Sequence, residues 1–140
     1  MEDFKETFFT TVGCMDGRVQ EVVGTFGREK LDALYPDTIT DAGIVGKLPL
    51  KNEALFADLK FKLIDVSLEK HHSKGIIVHG HTECAGNPVD DETQKEDIRK
   101  STAVIKKMVG SLPVIGVFVH RSANDPTLWV ADQIVAAVTP

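Results

Sequence analysis

Apolar and polar residues along the chain fall into two kinds of stretch. Some are short, nearly continuous apolar runs. Others are longer segments with apolar residues at helical spacing. Residues 8–14 (FFTTVGC) are rich in β-branched and aromatic side chains and read as a first strand. Residues 19–34 place Val19, Val22, Val23, Phe26, Leu31 and Leu34 along a glycine-interrupted helical face, and Pro36 breaks the pattern. Residues 38–40 form a short strand candidate, followed by a loop punctuated by Gly43 and Gly46. Residues 52–71 give the clearest helix, with Leu55, Leu59, Leu63 and Val66 three or four positions apart and charged residues between them. Residues 75–81 (GIIVHGH) are almost wholly apolar, as expected of a strand covered on both faces.

The second half continues in the same way. Asn87 suits an N-cap and Pro88 a first helical position, so a further helix is predicted from there to Gly110. Ile98, Ile105 and Met108 form its apolar stripe, and Asp90, Asp91 and Glu92 complement the positive end of its dipole. Residues 113–120 (PVIGVFVH) read as another buried strand, and residues 122–126 as turn chemistry. Residues 128–138 are predicted to close the chain as a helix, with Leu128, Ala131, Ile134, Val135 and Val138 on its apolar side. Strands alternating with helices predict an α/β fold, a central parallel sheet with right-handed crossovers and helices on both faces. No linker or repeat divides residues 1–140, so a single domain is expected. In such sheets ligands bind beyond the carboxyl ends of the strands, where strand order reverses.

Composition narrows the function classes. The chain has 140 residues, 42% hydrophobic and 26% charged, which suits a globular domain with a real core. Sixteen Lys and Arg against twenty-one Asp and Glu give a formal charge of −5, which argues against nucleic acid as a partner. No apolar run approaches the roughly 18 residues that would span a membrane. The acidic start, Met1-Glu2-Asp3, does not read as a signal or transit peptide. The two cysteines, Cys14 and Cys84, are too few for a disulfide-stapled scaffold, so a reducing cytoplasm is the expected setting.

Both cysteines lie at predicted strand ends. One end reads Gly13-Cys14-Met15-Asp16-Gly17-Arg18 and the other Gly80-His81-Thr82-Glu83-Cys84-Ala85-Gly86. If these strands are neighbours, Cys14, His81 and Cys84 offer two thiolates and one imidazole, three ligands of a tetrahedral zinc site with its fourth position left to water. Soft thiolates favour zinc over magnesium or manganese. Asp16 and Arg18 leave the same strand end, and an Arg can hold a carboxylate through two parallel bonds. Held so, Asp16 can accept a hydrogen bond from hydroxide at the metal and orient it.

CMDGR followed by GHTECAG resembles the β-class carbonic anhydrases, which carry C-x-D-x-R after one core strand and H-x-x-C after a later one. The resemblance runs from about Thr10 to the final predicted helix. It implies that Cys14, His81 and Cys84 hold zinc, that Asp16 and Arg18 form the family's catalytic Asp–Arg dyad, and that the sheet order is 2-1-3-4. It further implies reversible hydration of carbon dioxide to bicarbonate, and a homodimer or higher homo-oligomer. In some members the aspartate moves onto the metal. Carbon disulfide or carbonyl sulfide hydrolysis on the same scaffold is an alternative, as is a non-catalytic zinc-stabilised binding protein. The chain departs from the family pattern at Met15 and Gly17, at Ala85 before Gly86, and at Asp41-Ala42-Gly43 in place of Asn-Ala-Gly. His79 is expected to pack or to support the site from behind. His120 is placed at a strand end as a structural or pocket-lining residue, His71 and His72 at the surface, and Trp129 in the core or an interface.

Overall fold

A computed structural model describes residues 5–136. Strand β1 (Phe8–Gly13) leads into helix α1 (Gln20–Leu31) and strand β2 (Tyr35–Thr40). Two short 3-10 turns, Ile44–Gly46 and Leu48–Leu50, precede helix α2 (Glu53–Leu59), which continues as a π-helical segment over Lys60–Leu68. Strand β3 (Ile76–His81), helix α3 (Asp91–Val109), and strands β4 (Val114–Arg121) and β5 (Trp129–Val135) complete the chain.

The sheet has five strands in the order β2-β1-β3-β4-β5. The first four run parallel, and β5 is antiparallel to β4. This corrects the expected four-stranded parallel sheet of order 2-1-3-4: a fifth strand extends the order and makes the sheet mixed. The predicted closing helix over residues 128–138 is that strand. Its apolar residues fit a helical face, but WVADQIV also offers β-branched and aromatic residues to the open edge of β4. There Trp129 and Ala131 pack with the α1 side and Ile134 with the opposite side. The turn over residues 122–128 closes the β4–β5 hairpin through the Ser122 amide, which donates to the Leu128 carbonyl at 2.8 Å. Val138, the last residue of the predicted helical face, lies outside the described residues.

Alternation along the strands divides the core in two. On one face Val12, Ile76, Val78, Val114 and Phe118 pack against Leu59 of α2, Leu63 of its continuation, and Ile98 and Ile105 of α3. On the other, Phe9, Ile77, Ile115, Val117 and Val119 pack against Val19, the residue that precedes α1, and against Val23 and Leu31 of α1. Strand β3 is buried along its whole length, as its apolar run predicts.

Two helix starts illustrate local chemistry. Asn52 caps α2 through its side-chain oxygen, which accepts from the Leu55 amide at 3.0 Å. Helix α3 starts later than Asn87-Pro88 suggests. Asp90 is its N-cap, accepting from the Thr93 amide at 2.8 Å, with Asp91 and Glu92 in the first turn. The Asn87 amide is used elsewhere, donating to Gln94 and Asp97 on α3 at 3.2 and 2.9 Å.

His71 lies at the surface, 37% exposed, and is also tied to its neighbours. Its ring stacks on Phe8 at 4.2 Å and its Nδ1 meets Asp37 Oδ2 at 2.7 Å. Asp37 also accepts from Ser67, so the edge strand β2 is tied to the π-helical segment.

Ile98 is fully buried and lies against Gly80 of β3, where an added Cβ would meet its Cγ1 at 2.9 Å. Ile98→Ala is expected to cost about 2–5 kcal/mol through lost burial and a cavity, read as a lowered urea midpoint with an unchanged slope.

Candidate metal centre

The parallel pairing of β1 with β3 sets Gly13 opposite His79. The chain leaving β1 and the chain leaving β3 therefore emerge side by side. Cys14 follows directly from β1, His81 is the last residue of β3, and Cys84 follows in the next turn. All three are buried, and their ligand atoms lie within 4.8 Å of one another. The two sulfurs are 3.7 Å apart and form no disulfide.

The site fits a metal ion. His81 Nδ1 is 2.7 Å from the Thr82 carbonyl oxygen, which can only accept, so Nδ1 carries the proton. That leaves Nε2 with a free lone pair, and Nε2 is buried without a hydrogen-bond partner. A buried nitrogen left unpaired costs free energy, and a ligand atom removes that cost. Burial pushes the Cys84 thiol up, and the neighbouring Cys14 adds to this, while backbone amides of Asn87 and Gly86 pull it down. A divalent cation reverses such a balance, because it stabilises the thiolates directly.

Neighbouring loops hold the sulfurs in place. Gly43 donates its amide to Cys14 Sγ at 3.4 Å. It sits at φ +59°, and a side chain there would run into the backbone of Gly86. Gly86 in turn lies against the Ala42 carbonyl carbon, 2.5 Å from where its own Cβ would be. The one-residue displacement of glycine by Ala85 thus coincides with close contact between the two loops. The acid at Asp41 does not leave an unpaired charge near the sulfurs. Its Oδ2 pairs with Lys47 at 3.2 Å and its Oδ1 accepts from the Ala42 amide.

Asp16 and Arg18 lie beside this cluster. Arg18 donates through Nε to Asp16 Oδ1 at 3.1 Å and through Nη2 to Oδ2 at 2.8 Å, and its backbone amide adds a bond of 2.9 Å to Oδ1. Gln20 anchors the turn by donating to the Cys14 and Asp16 carbonyls, both at 2.8 Å. Asp16 Oδ2 is 3.8 Å from His81 Nε2, so the carboxylate faces the unpaired nitrogen. The Arg18 side chain, through its hydrogen bonds, holds the Asp16 carboxyl down to about 2.

The remaining candidates stand apart from the cluster. His79 is completely buried against Gly13, with both ring nitrogens unpartnered. Burial first, and the nearby His81 second, push its pKa down to about 3, so the ring is neutral. His120 pairs with Asp132 at 2.6 Å and lines a cavity of about 410 Å³ with Lys95 and Arg121. None of Cys14, His81 and Cys84 borders that cavity. Met15 is largely exposed.

Three residues beside the site escaped the sequence reading: Glu83, Arg121 and Trp129 as a group. Arg121 grips Glu83 through Nε and Nη2 at 2.8 and 3.1 Å, and Trp129 stands edge-on to His81 with centroids 6.5 Å apart. The one available signal was position. Glu83 lies inside the His-x-x-Cys segment, and Arg121 follows His120 at a carboxyl strand end.

Two buried thiols and an unpaired imidazole at the carboxyl ends of adjacent parallel strands, faced by an Arg-held carboxylate, form a group that could hold a metal ion on an α/β sheet. Residues 4–128 match a family model described as "Putative carbonic anhydrase". The chain belongs to this carbonic anhydrase family. No curated protein matches it. The matched range stops one residue short of Trp129, so β5 lies outside it.

Two predictions follow from the loop contacts and the ion pair. Gly43→Ala is expected to destabilise the protein by at least about 1 kcal/mol and to weaken metal retention, measured by chelator competition, because it combines a left-handed backbone with a backbone collision. The Asp16–Arg18 pair is partly solvated, with 21% and 40% exposure, so its stabilisation is held to about 1 kcal/mol or less. Because the folded Asp16 pKa lies below its ordinary 3.8, that stabilisation is present above about pH 4 and lost as pH falls through about 2. Urea midpoints of wild type and Asp16→Asn are therefore expected to differ near neutrality and to converge toward pH 2.

Proposed function

We propose that the protein is a zinc enzyme that reversibly hydrates carbon dioxide to bicarbonate, with Cys14, His81 and Cys84 as the metal ligands and Asp16 and Arg18 as the catalytic pair. The observation that supports this reading most is the buried, unpaired His81 Nε2 facing two free sulfurs and the Asp16 carboxylate. Family membership supports the reaction class. Two sulfurs and one nitrogen suit zinc among the common divalent metals.

Zinc bound there supplies a Lewis acid, which in a neutral three-histidine site lowers the pKa of water from about 15.7 toward about 7. The residues do the rest. Thr82 fixes the His81 tautomer, so Nε2 is always the ligating atom. As ligands, Cys14 and Cys84 would donate more charge to the metal than imidazoles, so it would acidify water less than in a neutral site. Asp16 Oδ2 accepts a hydrogen bond from the attacking water and so aims its lone pair at the carbon of the substrate. Arg18 fixes that carboxylate and keeps it ionised at every working pH, so Asp16 is an acceptor throughout.

A reducing cytoplasm suits the two free thiols. The assembled form is proposed to be a homodimer, which static light scattering at micromolar concentration would read as twice the chain mass.

The deciding experiment pairs metal analysis with stopped-flow carbon dioxide hydration. The purified protein is expected to hold one zinc per chain, and Cys84→Ser to lose it. Hydration is expected to rise from neutral into mildly alkaline pH. Asp16→Asn is expected to keep its zinc and lose most turnover. Zinc content unaffected by Cys84→Ser, or no hydration by the zinc-loaded protein at alkaline pH, would overturn this function.

A further inference from the structure

Arg18 makes more contacts than its pairing with Asp16 requires. Its Nη1 approaches Glu83 Oε1 at 3.5 Å, and its Nη2 donates to the Glu83 backbone carbonyl at 3.2 Å. Arg121 holds the same Glu83 carboxylate with two bonds of 2.8 and 3.1 Å, and is itself tied by Nη1 to the Pro126 carbonyl at 2.8 Å. Both guanidinium carbons lie over the Trp129 ring, 4.8 Å away for Arg18 and 4.6 Å for Arg121.

Two cations on one indole repel each other unless an anion lies between them. Glu83 supplies that anion. It does so from a left-handed backbone, φ +56°, which is unusual for a residue with a side chain. Asp16 supplies the second anion on the far side of Arg18. The result is an alternating row, Asp16–Arg18–Glu83–Arg121, with both of its arginines against one indole ring. An exposed arginine alone would sample many rotamers. Here a carboxylate on each side and a ring along its plane leave it one orientation.

We propose that Glu83, Arg121 and Trp129 are positioning residues that lock the Arg18 guanidinium, and through it aim Asp16 at the metal site. Arg121 and Trp129 come from β4 and β5. Arg121 reaches the site through Glu83, and Trp129, which also stands edge-on to His81, carries both guanidinium groups over its ring, so the route these residues share to Asp16 runs through Arg18. The inference rests on the proposed role of Asp16 in hydration. Its first test does not depend on activity.

That test follows the Arg18 side-chain Nε–H by nitrogen-15 NMR in the zinc-loaded full chain. In wild type this proton is held against Asp16 and is expected to exchange slowly with water. In Glu83→Gln and in Arg121→Gln its exchange is expected to speed up by about tenfold or more, a factor corresponding to roughly 1.4 kcal/mol of lost protection. Zinc stoichiometry is expected to stay at one. In the hydration assay the same variants are expected to lose about tenfold in kcat with KM within about twofold, the pattern of a misaimed group rather than lost binding. Arg121→Lys keeps the charge without the fork and is expected to recover only part of the protection.

If Glu83→Gln does not fold, Arg121→Gln, at the outer end of the row, gives the same reading. Exchange of the Arg18 proton that is unchanged in the soluble variants overturns the proposal, even if stability falls. A slow proton in wild type, released by the variants, upholds the lock. If the wild-type protein then shows no hydration, the proposed function fails while the lock stands.

Discussion

Everything at the candidate centre depends on one pairing, β1 beside β3 in parallel with Gly13 opposite His79. That register brings Cys14, the residue after β1, level with Gly80, one position before His81, on the carboxyl edge of the sheet. The pairing is close because Gly13 has no side chain, and the His79 ring occupies the space. The burial of β3 along its whole length holds the register, since a one-residue slip would turn each of its side chains, His79 and His81 included, to the wrong face. Loops then complete the cradle. The 41–46 segment and the 84–87 turn meet through Gly43 and Gly86, where only glycine leaves room.

Charge at the centre is arranged in layers. Closest are neutral or thiol groups with an unpaired nitrogen, an arrangement that favours a cation. Next comes Asp16, kept ionised by Arg18. Outside it, Glu83 and Arg121 balance each other and flank Trp129. Asp41 is neutralised by Lys47 on the opposite side. The formal charge of −5 over the whole chain therefore says little about the site, where nearly every acid has its own cation.

Much of this was legible in the sequence, for identifiable reasons. Apolar runs such as GIIVHGH and PVIGVFVH admit little besides buried strands, and the cysteines and His81 stand directly at their ends or just beyond. The closing segment was not legible. WVADQIV spaces its apolar residues as a helix would and does not alternate, and only the open edge of β4 makes it a strand. Asn87 carries a capping side chain that tertiary contacts with Gln94 and Asp97 take over, leaving Asp90 to start α3. The Glu83 group was hidden twice. It needs β5 to supply Trp129, and it needs a left-handed backbone at a residue type that seldom adopts one. His71 was hidden by distance in sequence, since Asp37 lies 34 positions away.

Arg121 and Trp129 face each other as a cross-strand pair in the β4–β5 hairpin, eight positions apart, whereas Cys14 and Cys84 are separated by 70. Closing the longer loop costs roughly 2 kcal/mol more chain entropy than closing the shorter one, on logarithmic scaling. The two halves of the centre thus differ in how they form. Within the arginine–indole group only Arg121 over Trp129 is local, and that pair can assemble as soon as its hairpin does, whereas Arg18 and Glu83 join it from the ends of β1 and β3. The cysteine half exists only once β1 and β3 have met, and a metal bridging it acts as a removable cross-link between distant parts of the chain. Loss of such a metal would remove the tie across the long loop and none of the hydrogen bonds that pair β4 with β5.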